Sequence, residues 1–152
     1  MYTTRVSRHI DAPPPVVYRA LVDGETLVRW RAPDGMRGHV HTFDAREGGS
    51  FRISLTYEAP DAAGKSTAHT DTYFGRFTKL VPDEQVVEVL EFETSDPALR
   101  GRMTMTTTLT PAGGGTDVLF VHEGVPDGIP AADNETGMRM ALANLARLVE
   151  PG

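Results

Sequence analysis

"DAREGGSFRISLTY", residues 44–57, is the stretch on which the fold turns. An acid, a base and a second acid run into two glycines, and then Phe51, Ile53, Leu55 and Tyr57 follow at period two. A phosphate-cradling glycine loop leads from a strand into a helix, whose first backbone amides hold the anion. Here the glycines lead from one strand into another. A hairpin needs a residue with positive φ, and Gly48 and Gly49 supply it without steric cost. The stretch is therefore predicted as a hairpin turn. Asp44 and Arg46, on the face opposite Phe43, are expected to pair across solvent, a weak effect.

Period two continues on both sides of that turn. "HVHTFDAR" (39–46), "SFRISLTYEA" (50–59), "HTDTYFGRFTKLV" (69–81), "EQVVEVLEFET" (84–94), "RMTMTTTLT" (102–110) and "TDVLFVHEG" (116–124) each read as a strand. Their separators, EGG, PDAAGK, PDE, SDPALRG and PAGGG, are turn chemistry, and links this short imply an antiparallel meander. Upstream, "TTRVSRHI" (3–10) is a first strand. Pro13, Pro14 and Pro15 stop sheet pairing but suit a first helical turn, so "PPVVYRALVD" (14–23) reads as a short helix. Gly24 interrupts, and "ETLVRW" (25–30) makes a second. At the far end, residues 130–149 form a long helix with Met138, Leu142, Leu145 and Val149 along one face. The predicted fold is α+β: a seven-stranded curved antiparallel sheet, a long C-terminal helix buried on one of its faces, and two short helices as a lid over the space between.

Composition bounds what such a chain does. Its 152 residues suit one domain spanning residues 1–152, with 39% hydrophobic and 24% charged residues, an ordinary globular balance. The net charge of -6 argues against nucleic acid and against anionic membrane surfaces. No cysteine is present, which suits a reducing cytoplasm, the expected location. No stretch has the length of a membrane span, and the first residues lack the apolar core of a signal peptide.

Several motifs in this order resemble a known family. They are "IDAPPPVVYRAL" (10–21), Trp30 with "PDG" (33–35), "DAREGG" (44–49), Gly75 before "RFTKLVP", "TMTTTLTP" (104–111) followed by "GGT", "HEG" (122–124) and "GMRMALANL" (137–145). Together they are similar to the helix-grip, START-like (SRPBCC, Bet v-like) superfamily, in its branch named for the activator of heat-shock-protein ATPase homologues. The family usually has Trp after the glycine of the last helix, and here that residue is Met138, so the resemblance carries no ring to that part of the cavity. The resemblance implies a cavity for an apolar or amphipathic small molecule more strongly than it implies a reaction. The alternatives are an enzyme of cyclase or hydrolase type using the same cavity, and a co-chaperone module that stimulates a heat-shock ATPase through the outside of the sheet. The family's eukaryotic namesake carries a further domain ahead of this one, which places the co-chaperone reading last. A homodimer is compatible with the sequence, and no cofactor is expected.

Residues for such a site follow from strand parity. Met103, Met105 and Leu109 share one face, with Phe120 on the neighbouring strand and Met138 and Leu142 opposite on the helix. As a set they are the expected cavity walls, and methionines would let the cavity adapt to varied apolar shapes. Trp30 either stacks on a ligand or plugs the core beneath the helices. Tyr57 and Tyr73 are expected to bring hydroxyls inward, Tyr73 provided Gly75 marks no bulge that shifts parity. Val118, Phe120 and His122 share a face, so His122 is expected inward, as a hydrogen-bonding group or as the base of an enzyme, with a turn-holding histidine as the plainer role. His39 and His41 share the other relevant face pattern and, with His122, offer imidazoles for a metal; the plainer role is polar lining, and no metal is expected. His41 is the second acid–base candidate. Of Glu88 and Glu91, one must point inward in an unbulged strand, as a general acid if buried or as a solvated group at the mouth.

Overall fold

The structure is a computed structural model that describes residues 1–33, 35–57 and 70–151. It contains strands β1 (Tyr2–Ile10), β2 (Met36–Phe43), β3 (Ser50–Tyr57), β4 (Thr70–Val81), β5 (Gln85–Phe92), β6 (Met103–Ala112) and β7 (Gly115–Val125), with helices α1 (Pro14–Val22), α2 (Gly24–Arg31) and α3 (Ala131–Val149). The strands form one antiparallel sheet in the order β1-β7-β6-β5-β4-β3-β2, so β1 and β2 are its open edges. α3 lies on one face, and α1 and α2 bridge from β1 to β2. The predicted turn PDAAGK (60–65), the strand ends either side of it, Asp34 of "PDG" and the closing Gly152 lie outside the described residues.

Local chemistry explains the boundaries. The break between the short helices comes from Asp23, not Gly24: Asp23 is extended at φ -113 and its carboxylate caps α2 by accepting from Thr26 N, while Gly24 is already helical. At the opening hairpin the two glycines divide the work. Gly48 takes the positive φ of 82, whereas a methyl on Gly49 would stand 2.0 Å from the Asp44 carbonyl oxygen. Gly48 N–H and the Gly49 carbonyl also pair with Phe77, which pins the turn to β4. Arg46 donates to Asp44 at 2.7 Å in solvent, as expected. Gly75 marks no bulge. It pairs in register with Leu90, and a side chain there would strike the Val89 carbonyl oxygen. The irregularity in β4 falls later, between Phe77 and Lys79, so Tyr73 keeps its inward parity.

The core sits between α3, the short helices and the concave face of the sheet. Ile10, Val17, Leu21, Leu27, Val118, Leu145 and Ala146 are all at 2% exposure or less and fill one half of this space. Burying such side chains contributes about 1.5–3 kcal/mol each. The other half, beneath the first turns of α3, is hollow.

Candidate functional site

That hollow is a cavity of about 650 Å³. Its apolar walls come from three sources. Met103, Met105 and Phe120 rise from β6 and β7, Leu55, Tyr57, Leu90 and Phe92 from β3 and β5, and Met138, Met140 and Ala141 descend from α3. Trp30 closes the end under the lid. It is 1% exposed, it donates through Nε1 to the Ala20 carbonyl at 2.8 Å, and its ring lies 5.9 Å from that of Phe120. Trp30 is therefore both core plug and cavity wall.

One end of the cavity is polar. Arg31, the last residue of α2, donates Nη1 and Nη2 to the two carboxylate oxygens of Glu88 at 3.0 and 3.1 Å. Glu88 lies on β5 with Val86 and Leu90 on the inward face, at 2% exposure. The Arg31 guanidinium also rests 5.0 Å from the centre of the Trp30 ring. Burial alone would lower the Arg31 pKa, but Glu88, and then Tyr73, hold it above its ordinary value. Tyr73 and His122 complete the cluster. Burial raises the Tyr73 pKa while Arg31 pulls it down, and the hydroxyl, although within electrostatic reach of Arg31, has no partner in hydrogen-bond geometry. Burial, and then the positive charge of Arg31, push the His122 pKa down to about 4 against a weaker opposing contact with Asn134. His122 is thus a neutral ring, and its Nδ1 has no partner either.

Of the residues expected at the site, Trp30, Tyr57, Tyr73, Met103, Met105, Phe120, His122 and Met138 line this one cavity. Leu142 is 2% exposed but belongs to the packed core beside it. His41 does not join them. It is the extra residue where the β2–β3 register shifts between Val40 and Thr42, and its Nε2 lies 2.7 Å from Ser54 Oγ on the face away from α3. Its ring meets His39 edge-on at 4.6 Å, so the two imidazoles do share a face, but His122 is on the other side of the sheet. Among the described residues no group of three His, Cys, Asp or Glu is placed to hold a metal. Glu88 is the inward member of its pair, and Glu91 is outward, 3.8 Å from Arg102. The residues that parity missed are Arg31 and Asp71, both in the lining. Asp71 was available two positions from Tyr73. Arg31 was available only by asking which cation an inward Glu88 would need.

The described family "Activator of Hsp90 ATPase homolog 1-like protein" matches residues 11–150. The chain belongs to this family. The protein CV1439 from Chromobacterium violaceum is 35% identical over 99% of both chains, with a TM-score of 0.88. Protein Ms6760 from Mycobacterium smegmatis has the same fold at 17% identity, TM-score 0.77, over 99% of this chain and 92% of that one. DynU16, described as a putative protein in the dynemicin biosynthetic locus, shares the fold at 19% identity and TM-score 0.68, over 97% of this chain and 46% of its own. No curated protein matches the chain. Family and neighbours together support a helix-grip fold. No helix among the described residues is long and apolar enough to cross a membrane.

Proposed function

We propose that this protein binds an apolar or amphipathic small molecule in the cavity between the sheet and α3. The observation that carries the reading is the cavity itself: about 650 Å³, walled by methionines, aromatics and leucines, with Arg31, Tyr73 and His122 among its polar groups. Ligand sites have this size and this distribution of few polar groups in an apolar wall. Affinity comes from apolar area, at roughly 25 cal/mol per Å² before the costs of ordering are subtracted. Trp30 is the sole tryptophan and stands in the wall, so it reports on occupancy. Native mass spectrometry of the purified protein should find a small molecule of ordinary organic mass released on denaturation, and apolar fluorophores added to stripped protein should quench Trp30 to saturation. Failure of every apolar probe to alter Trp30 emission would sink the reading.

An enzyme in the same cavity is the second reading, suggested by the biosynthetic locus of DynU16. His122 is the residue it would use. With a pKa near 4 the ring is a weak base at neutral pH, which favours binding over base catalysis.

A further inference from the structure

Resting on the cavity reading, we infer that the polar end selects a neutral compound bearing a hydroxyl or carbonyl oxygen and turns away carboxylates. Arg31 is the only cation among the described residues lining the cavity, and both of its Nη atoms are committed to Glu88. The pair is charge-neutral as a unit. A ligand carboxylate would have to displace Glu88 from the guanidinium or lie beside it as a like charge in a dry site, and both are costly.

A neutral oxygen meets the opposite situation. Arg31 has five N–H donors, of which Glu88 takes two, and the Arg31 side chain is 11% exposed against 2% for Glu88, so the cavity reaches the donor and not the acceptor. Tyr73 Oη and His122 Nδ1 are buried without partners. An orphaned buried polar atom is a standing cost that a ligand group reaching it relieves. The ring is neutral, so Nδ1 either accepts or donates, and a hydroxyl serves it in either tautomer. A hydroxyl pairs with Nδ1 and with Tyr73 or Arg31, and a carbonyl accepts from the latter two. An ammonium finds no comparable seat, because Asp71 is engaged in interactions of its own and Asp133 is exposed to solvent.

Four fluorescent probes of one shape test this: pyrene, 1-hydroxypyrene, pyrene-1-carboxylate and 1-pyrenemethylamine, titrated against ligand-stripped full-length protein at neutral pH with Trp30 quenching as readout. The hydroxyl compound should bind about tenfold tighter than pyrene, the worth of one or two buried hydrogen bonds, and the carboxylate weaker than pyrene. Tyr73→Phe together with His122→Leu should bring the ratio of 1-hydroxypyrene to pyrene affinity to about one. Glu88→Gln should free the Arg31 charge and turn the preference toward the carboxylate by at least about tenfold. Equal binding of pyrene and 1-hydroxypyrene would overturn the inference and leave the cavity reading standing. Tightest binding of the carboxylate or the amine by the unmodified protein would overturn it too. No binding by any probe would remove both. The comparison among probes on the unmodified protein decides the matter even if a variant fails to fold.

Discussion

The two halves of α3 face different worlds. Leu145 and Ala146, near its C-terminus, are completely buried in a solid core with α1, α2 and β1. Asn134, Gly137, Met138 and Ala141, nearer its N-terminus, hang over the cavity. One helix thus serves as structural beam and as ceiling. The difference is made by what the side chains meet: apolar residues packed against α1, α2 and β1 at one end, and residues facing the cavity at the other. Close packing at the first end carries the stability that lets the second end enclose a cavity.

The sharpest challenge to that division is Glu88, which sits at the hollow end yet is as buried as any core residue. Glu88→Ala strands the Arg31 charge and should cost about 3–5 kcal/mol in urea unfolding. The double replacement Arg31→Met with Glu88→Leu should recover most of that loss, because an apolar pair fills the space without needing compensation. If the double variant is as unstable as the single, the ion pair is a structural element and the division between the halves fails. At the packed end, Leu145→Ala should cost about 2–5 kcal/mol, from lost transfer energy plus the void left behind. For a chain of this length that corresponds to a fall in Tm of roughly 5–15 °C in calorimetry.

A change of pH acts on the hollow end through His122. Its folded pKa of about 4 lies below the ordinary value of 6.5, so between these limits the unfolded chain binds the extra proton. The stability it protects is complete above pH 6.5 and declines as pH falls toward 4. From pH 7 to pH 5 the loss attributable to this ring is about 2 kcal/mol. His9, whose pKa is raised by its contact with Asp117, acts with the opposite sign, so the comparison must be a difference. The urea midpoint of the unmodified protein should fall more steeply over that range than that of His122→Gln. Parallel slopes would mean that the ring is solvated and that the polar end is wet.

Most of the fold was legible because it is written in local periods. Strict alternation from Phe51 to Tyr57 and from Val118 to His122 fixed strand faces, and the spacing from Met138 to Leu145 fixed the helix face. What alternation could not see was any place where the backbone departs from it or where partners are distant in sequence. The register shift at His41 sits inside an unbroken HVHTF pattern, so nothing local announces it. Gly75, which invites the guess of a bulge, is there for close approach to β5. Arg31 and Glu88 stand 57 residues apart, and their pairing exists only once α2 is laid over β5. The walls of the site were therefore readable one residue at a time, whereas its polar end is a product of tertiary structure.

The smallest predicted effect is the most direct measure of how different the two halves are. Met105 is half-buried on β6, directly across from Glu88 on one side and His122 on the other, with its side chain against the cavity. Met105→Ala removes several apolar atoms, as Leu145→Ala does. The penalty for a new void is small when the atoms removed already bordered one, because few contacts are lost on the open side. The cost should therefore stay below about 1.5 kcal/mol, less than the expected loss at Leu145. The same variant should enlarge the cavity and raise its affinity for probes bulkier than pyrene, at little cost to the fold. Equal destabilisation by Met105→Ala and Leu145→Ala in the same urea series would mean that the cavity closes in solution, with Met105 packed like any core residue. Unequal stability together with altered probe size selection would establish that the sheet under the first turns of α3 is held open by the packing under its last.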